Sequence, residues 1–217
     1  MPRVDCHLHS AYSGDARITI DEISEALTTG VVDMVCVTDH NSVRGGQVLA
    51  ERHPDRVIVG SEVKTWAGEI IGLFLSAHVP RRSDPAEVCE AIRAQGGLVY
   101  IPHPFCPLHS GVRRDVLDDL CDRGLVDIIE TFNAKASLDS ANREAVDYAA
   151  ARALPGGGGS DAHYPEFVGR GWVDVPEFDD AASFLAALGH GEVGGSRYTW
   201  ADARWRTKIV PGSYPAG

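Results

Sequence analysis

The residues most suited to chemistry are histidines and carboxylates that recur at a spacing of two. Asp5, His7 and His9 alternate with apolar residues, so on a β-strand the three polar side chains share one face. Two imidazoles and a carboxylate at a strand end are typical metal ligands. Taken alone, this motif also fits an exposed edge strand whose polar face meets water.

Four further segments carry the same residue types where a strand is expected to end. They are Thr38-Asp39-His40, Gly60-Ser61-Glu62, Ile101-Pro102-His103-Pro104 and Gly159-Ser160-Asp161-Ala162-His163. The carboxyl ends of parallel strands meet at one edge of a sheet, where sites assemble. Five such coincidences favour one shared site. Because every donor is nitrogen or oxygen, the set indicates Mn²⁺, Fe²⁺ or catalytic Zn²⁺, and its size indicates more than one ion.

The elements that must position these motifs alternate between strand-like and helix-like patterns. Short apolar runs predict strands at 4–9, 33–38, 57–63, 69–75, 98–101, 126–132 and 171–175, with a short strand near Leu154. Helical patterns cover 19–27, 43–52, 84–96, 113–122, 136–153 and 179–188. This alternation favours an α/β fold with a largely parallel sheet, and about seven units of this size fit a closed barrel. We interpret the four glycines at 156–159 as backbone that approaches another segment closely.

Composition limits the partners of the chain. Its 217 residues include 31 acidic and 20 basic side chains, a net charge of −11, which argues against a nucleic-acid partner. No apolar run reaches the length of about 18 residues that a membrane span needs. The first residues carry no apolar signal core, which predicts a cytoplasmic protein. Five cysteines without a C-x-x-C pair predict buried, reduced thiols.

As an ordered set, the five motifs resemble those of the polymerase and histidinol phosphatase (PHP) superfamily. The resemblance extends from residue 5 to about residue 190. It implies a distorted (β/α)7 barrel with two or three divalent metal ions, Mn, Fe or Zn, at the carboxyl ends of the strands. The activity that it implies is hydrolysis of phosphate esters. We expect residues 1–195 to form this barrel domain and residues 196–217 to form a tail on it.

The resemblance also implies a ligand for each matching position. The implied set is His7, His9 and Asp161 at a first ion, Glu62 bridging it to a second, His103 at the second, and His40, His163 and Asp15 at a third. Asp39 would orient His40 or transfer a proton, and Asp39, His163 or a metal-bound water would protonate the leaving group. One position departs from the pattern, because many relatives have a histidine where this chain has Glu69. A glutamate can still ligate, with an altered preference for the ion.

Three basic residues are candidates for holding a phosphate: Arg170, Arg143 and Lys135. With an acidic balance and no second domain expected, we predict a small phosphorylated metabolite as substrate: a nucleotide, a sugar phosphate or an amino-alcohol phosphate. Two alternatives remain. One is a metal-dependent hydrolase of C–N bonds, whose barrels also open with His-x-His but often use a carboxylated lysine at the position of Glu62. The other is a metal-binding module without catalysis.

Overall fold

The structure is a computed structural model that describes residues 1–80 and 84–198. Within these residues, the strands are β1 (Arg3–Leu8), β2 (Met34–Val37), β3 (Val57–Thr65), β4 (Gly68–Leu73), β5 (Leu98–Ile101), β6 (Ile128–Asn133), β7 (Gly156–Gly159), β8 (Gly171–Asp174) and β9 (Glu192–Gly195). The helices are α1 (Ile20–Thr28), α2 (Arg44–Ala50), α3 (Pro85–Arg93), α4 (Arg114–Asp122), α5 (Asp139–Arg152) and α6 (Ala181–Leu188).

All strands belong to one sheet in the order β7-β6-β5-β4-β3-β2-β1-β8-β9. Strands β1 to β3 are parallel to one another, as are β5 to β7, whereas β4 runs antiparallel to both of its neighbours. The sheet curls until β7, at one of its edges, approaches β1: His9 N donates to Ala162 O at 3.0 Å, and Asp161 N donates to His7 O at 2.7 Å. These bonds join the end of β1 to the residues after β7, so the predicted distorted barrel is confirmed.

Local sequence signals account for the start of several helices. The Thr19 hydroxyl accepts a hydrogen bond from Glu22 N, and the Glu22 carboxylate accepts one from Thr19 N. These two bonds form the predicted capping box of α1. Asp84 caps α3 and Pro85 occupies its first turn, where a missing N–H costs nothing. The apolar faces of both helices then pack against the outer face of the sheet, with Ile23 and Ile92 fully buried.

The glycine run differs from the prediction, because the glycines themselves form β7. The predicted strand near Leu154 is wrong: Leu154 N donates to Ala149 O at 3.0 Å and closes the end of α5. A Cβ on Gly157 would lie 2.4 Å from the Tyr100 ring, and one on Gly159 would lie 2.3 Å from His7 Cβ. Neighbouring side chains therefore fill the space that side chains on β7 would need, and the predicted close approach is confirmed.

The predicted tail begins by packing on the barrel. Ser196 N donates to Arg170 O at 2.8 Å, and the Tyr198 hydroxyl donates to Ser160 O at 2.7 Å. Residues 199–217, the rest of that predicted tail, lie outside the described residues. Helices with the length and hydropathy of a membrane span are absent from the described ranges 1–80 and 84–198.

Candidate metal centre

The structure gathers the side chains of all nine predicted ligands at one end of the barrel. They form four overlapping groups, and within each group the ligand atoms lie within 4.8 Å of one another. The groups are His7, His9 and Asp161; His7, Glu62 and His103; His40, Glu62 and Glu69; and His9, Asp15, His40 and His163. The shared members make these groups one continuous cluster. Their role as metal ligands remains a prediction.

The fold delivers these side chains from almost every strand of the barrel. His7 lies on β1 and Glu62 on β3, while other members follow the ends of β1, β2, β5 and β7. Glu69 enters differently, from the amino-terminal part of β4, because that strand runs in the opposite direction. Two members have left-handed backbones, His103 with φ of 32° and Asp161 with φ of 49°. Such conformations are costly for residues other than glycine and are concentrated at functional sites.

The group around His7 has the dimensions of a coordination sphere. His9 Nε2 lies 3.1 Å from His7 Nε2, 3.3 Å from Glu62 Oε2 and 3.6 Å from Asp161 Oδ1. Four donors placed tetrahedrally at about 2.1 Å from an ion would be separated by about 3.4 Å. The observed separations fit this value, so the four predicted ligands of the first ion are arranged to hold one.

The other two groups share His40, whose two ring nitrogens face different partners. His40 Nδ1 lies 3.1 Å from Glu62 Oε2 and 3.9 Å from Glu69 Oε1, whereas Nε2 lies 3.2 Å from Asp15 Oδ2. His103 Nε2 lies 3.2 Å from the other oxygen of Glu62. The Glu62 carboxylate thus stands between His103 on one side and His40 on the other, as a bridging ligand must.

Hydrogen bonding within the cluster is incomplete, and this supports a bound cation. Glu62 Oε1, His40 Nδ1 and His103 Nδ1 are buried, yet they make no hydrogen bond among the described residues, since the contacts of 3.1–3.2 Å between these rings and Glu62 lack hydrogen-bond geometry. A buried polar atom without a partner costs about 1–3 kcal/mol, so such atoms are rare unless an ion or water completes them. Nitrogen and oxygen donors without thiolate suit Mn²⁺, Fe²⁺ or Zn²⁺. The residues present therefore fit divalent metals.

Burial and neighbouring charges act in opposite directions on the cluster. Burial alone would lower the pKa of His7, but Glu130, Asp161 and Glu62 outweigh it and raise that pKa well above its usual value. Burial alone would raise the pKa of Glu62, but His7 and His103 lower it well below its usual value. Glu62 is therefore ionised beside a protonated His7 ring, whereas burial and His163 lower the pKa of His9 well below its usual value. His7 Nε2 can bind a metal only after losing its proton, so metal binding there would release a proton.

Glu130 is a functional candidate that the sequence analysis missed. Its fully buried carboxylate accepts four hydrogen bonds: from His7 Nδ1 at 3.1 Å, the Tyr100 hydroxyl at 3.1 Å, His103 N at 2.7 Å and Asn133 Nδ2 at 2.9 Å. With its proton on Nδ1, His7 presents the lone pair of Nε2 to the cluster. The available signal was an acidic residue near the end of the apolar run 126–132, the same signal that pointed to Glu62.

Asp39, one of the predicted proton-transfer residues, is bonded to Ser10. Its carboxylate accepts from Ser10 N at 2.6 Å and from Ser10 Oγ at 2.8 Å, and it does not line the cavity. These bonds hold the loop after β1, which carries Asp15 into the cluster, and the orientation of His40 by Asp39 remains a prediction. A Cβ on Gly45 would lie 2.1 Å from Asp39 Oδ2, so the start of α2 packs directly on this pair.

The three predicted phosphate-binding bases are placed differently from one another. Lys135 Nζ lies in the site, 2.9 Å from Asp161 Oδ1 and 3.3 Å from His163 Nδ1. The Arg170 guanidinium lies over the rings of Phe167 and Tyr198, outside the residues that line the cavity. Arg143 is exposed on α5 and also lies outside that lining. Of the three, the structure brings Lys135 alone to the cluster.

A cavity of about 160 Å³ opens over the cluster. Besides seven of the candidate ligands, it is lined by Leu108, His109, Ser110 and Lys135. Two contacts hold His109 at the edge of the site: its ring stacks on His103 with centroids 4.9 Å apart, and its Nδ1 lies 2.9 Å from Cys106 Sγ. Burial raises the pKa of Cys106, but His109 and Ser137 outweigh it and lower the pKa to about 6.

Comparison with known sequences identifies relatives of this chain. Residues 139–193 match the family described as PHP-associated. An uncharacterized protein of Methanocaldococcus jannaschii is 35% identical, over 61% of this chain and 82% of the relative. This similarity covers most of the relative, so the two chains share a family.

Solved structures share the fold. A two-domain protein of Bacteroides vulgatus that contains a predicted PHP-like metal-dependent phosphoesterase has a TM-score of 0.74 at 19% identity, over 90% of this chain; the chain spans 65% of that protein's length. An amidohydrolase of Chromobacterium violaceum with bound sulfate has a TM-score of 0.65 at 17% identity, over 85% and 96% of the two chains. A lesion-specific endonuclease of Pyrococcus furiosus has a TM-score of 0.59 at 17% identity, over 97% of this chain and 67% of the endonuclease. These structures share the fold; together with the sequence relative and the PHP-associated match at residues 139–193, the chain belongs to the PHP superfamily.

Proposed function

We propose that this protein is a metal-dependent phosphoesterase that hydrolyses a phosphate ester of a small metabolite. One observation carries the proposal: nine side chains with nitrogen or oxygen donors form one cluster, and seven of them line a single cavity together with the ammonium group of Lys135. Two or three Mn, Fe or Zn ions are the cofactors that this donor set would hold. The structural similarity to the Bacteroides vulgatus protein, which contains a predicted PHP-like metal-dependent phosphoesterase, supports the same reaction class.

The side chains of the cluster have distinct tasks in such a reaction. When bound, divalent ions lower the pKa of a coordinated water and offset negative charge on phosphoryl oxygens. Glu62 and Asp161 hold positions between several rings, so they fix the spacing of the ligands. Lys135 Nζ lies beside Asp161 and faces the cavity, where an ammonium group stabilises the charge that develops on the phosphoryl group.

His163 is our candidate for protonating the leaving group. Its ring lies at the edge of the cavity, 3.5 Å from Asp15 Oδ2, and its side chain keeps 13% of its surface exposed. Asp39 is a weaker candidate, because its carboxylate is buried against Ser10. A His163→Gln variant should lose activity on alkyl phosphates, which need an acid, far more than on p-nitrophenyl phosphate, whose leaving group does not. Metal content measured in parallel separates this effect from loss of a ligand.

The amidohydrolase among the structural relatives makes C–N hydrolysis the second candidate. In that class a carboxylated lysine often bridges two ions. Here Glu62 occupies the bridging position, whereas Lys64 is half-exposed and lies 3.6 Å from Glu69 Oε1. This arrangement favours the phosphoesterase. The related endonuclease introduces a nucleic-acid substrate, which the net charge of −11 opposes.

The test is phosphate release by the purified protein with Mn²⁺ on a panel of substrates. The panel holds nucleoside 5′- and 3′-monophosphates, bisphosphates, cyclic phosphates, sugar phosphates, histidinol phosphate and a single-stranded oligonucleotide, with lactones and amides as the second arm. We expect one small phosphate ester to be turned over much faster than the rest. Turnover of amides alone, or of none of these compounds by the metal-loaded protein, would refute the proposal.

Matched variants tie the activity to the cluster. Asp161→Asn and His9→Ala should lose bound metal and phosphate release together, because each removes a donor from the group around His7. Asp147→Asn is the control: Asp147 is exposed on α5, and its substitution should change neither property. A fully active and fully metallated Asp161→Asn protein would show that the reaction does not use this site.

A further inference from the structure

The cavity has few side chains left to hold the substrate once the ligands are set aside. Among the described residues that line it, four are not candidate ligands: Leu108, His109, Ser110 and Lys135. Three of these are consecutive in the loop between β5 and α4. Because the cluster carboxylates repel a phosphate, its oxygens need donors that the ions do not occupy. Of these four residues, Lys135 and His109 have side chains that offer a nitrogen donor.

His109 is held so that one of its ring nitrogens faces the cluster. Its Nδ1 lies 2.9 Å from Cys106 Sγ, and its ring stacks on His103 with 28° between the planes. The remaining nitrogen, Nε2, lies 4.0 Å from Asp161 Oδ2. Lys135 Nζ lies 2.9 Å from the other oxygen of the same carboxylate. His109 and Lys135 therefore flank Asp161.

Cys106 connects the two loops that carry these side chains. Its sulfur lies between His109 Nδ1 and Ser137 Oγ, which is 3.5 Å away. Ser137 follows Lys135 by two residues in the loop between β6 and α5. The sulfur is thus buried where the loop with His109 meets the loop with Lys135.

We propose that His109 Nε2 hydrogen-bonds the phosphoryl group of the substrate opposite Lys135, and that Cys106 is a positioning residue that holds the His109 ring in place. This inference rests on the proposed function, because it assumes a phosphate in this cavity. It adds a tenth imidazole or carboxylate side chain to the site, one that acts on the substrate. It also assigns a task to the buried Cys106 thiol, which packs with Ala136 and Ala141 and is not a candidate ligand.

Binding of inorganic phosphate to the Mn²⁺-loaded protein tests the inference without turnover. Titration calorimetry would compare the wild type with His109→Ala, Cys106→Ala and Cys106→Ser, and metal content would be measured for each. We expect His109→Ala to weaken phosphate binding about tenfold with metal content unchanged, since one hydrogen bond to a charged group is lost. Cys106→Ala should weaken it about threefold, and Cys106→Ser should restore it, because a hydroxyl can still bond to Nδ1.

Two control variants test whether the change in phosphate affinity is specific to His109 and Cys106. Cys89→Ala removes an equally buried thiol on α3 and His53→Ala removes a ring that contacts Ser24; neither should change phosphate affinity. Wild-type phosphate affinity in a metal-replete His109→Ala protein would overturn the inference. If the wild type binds phosphate with this dependence on His109 but releases none from any ester, the inference stands and the proposed function fails.

Discussion

Glu130→Gln is the substitution whose effect the structure defines most closely. Glu130 accepts two bonds at each oxygen, and the glutamine must present an amide nitrogen to one pair of donors. If the amide nitrogen faced His103 N, two donors would meet, and the fixed backbone N–H would lose its acceptor at a cost of about 1–3 kcal/mol. Facing His7 and Tyr100 costs less, because the hydroxyl of Tyr100 can rotate and the His7 ring can change tautomer.

The cheaper arrangement has a consequence at the cluster. With Nδ1 of His7 now accepting, the ring proton moves to Nε2, the atom that lies 3.1 Å from His9 Nε2. A protonated nitrogen cannot ligate, so we expect Mn²⁺ affinity to fall 10–100-fold. All four bonds at this carboxylate lose their charge assistance, so the free energy of unfolding of the metal-free protein should fall by about 2 kcal/mol. The fold should survive while the metal site weakens.

Calorimetric Mn²⁺ titration, urea unfolding in EDTA and ¹⁵N spectra of the His7 ring would measure these three effects. Glu192→Gln is the control, because Glu192 is exposed on β9 and carries the same change of charge. Mn²⁺ affinity within twofold of the wild type, or a His7 ring still protonated at Nδ1, would refute the reasoning.

Three more predictions address the frame of the site. Gly159→Ala should lower the free energy of unfolding by about 3 kcal/mol in urea titrations, since its Cβ would lie 2.3 Å from His7 Cβ. Burial raises the pKa of Asp5 to about 6, so its folded form binds a proton more tightly than the unfolded chain. The protonated Asp5 side chain therefore adds about 3 kcal/mol to the free energy of unfolding below about pH 4, and this contribution is lost as pH rises through 6. In Asp5→Asn, the free energy of unfolding should depend less on pH between 4 and 6. Mn²⁺ at about 100 times its Kd should raise Tm by about 5–10 °C over EDTA, and an unchanged Tm would contradict a bound ion.

Much of this architecture could be predicted because its signals are local. The capping box of Thr19 and Glu22 and the Asp84-Pro85 start of α3 depend on neighbours three residues away or fewer. The period of two around His7 identifies one face of a strand without knowledge of its partners. The grouping of the ligands then follows from a parallel sheet, since its carboxyl ends coincide.

The failures depend on contacts that no local pattern contains. A run of four glycines has no side chains with which to signal a strand; β7 forms through backbone pairing with β6, and Tyr100, Thr131 and His7 fill the space that its side chains would need. Glu130 resembles any carboxylate near a strand end until its four donors are known. The two donors that Asp39 accepts from belong to Ser10, in another loop. Tertiary hydrogen bonds decided each case.

The closure of the barrel has a consequence for how the protein matures. The seam between β1 and the residues after β7 joins partners that are 153 residues apart in sequence, as the bond from Ser160 Oγ to His7 O illustrates. Contacts of such long range carry a large loop-closure entropy and form late in folding. His7 and His9 lie on one side of this seam, and Asp161 and His163 on the other. We therefore expect the ligand set to be complete only once this seam has closed, and a bound metal would then stabilise the closed barrel.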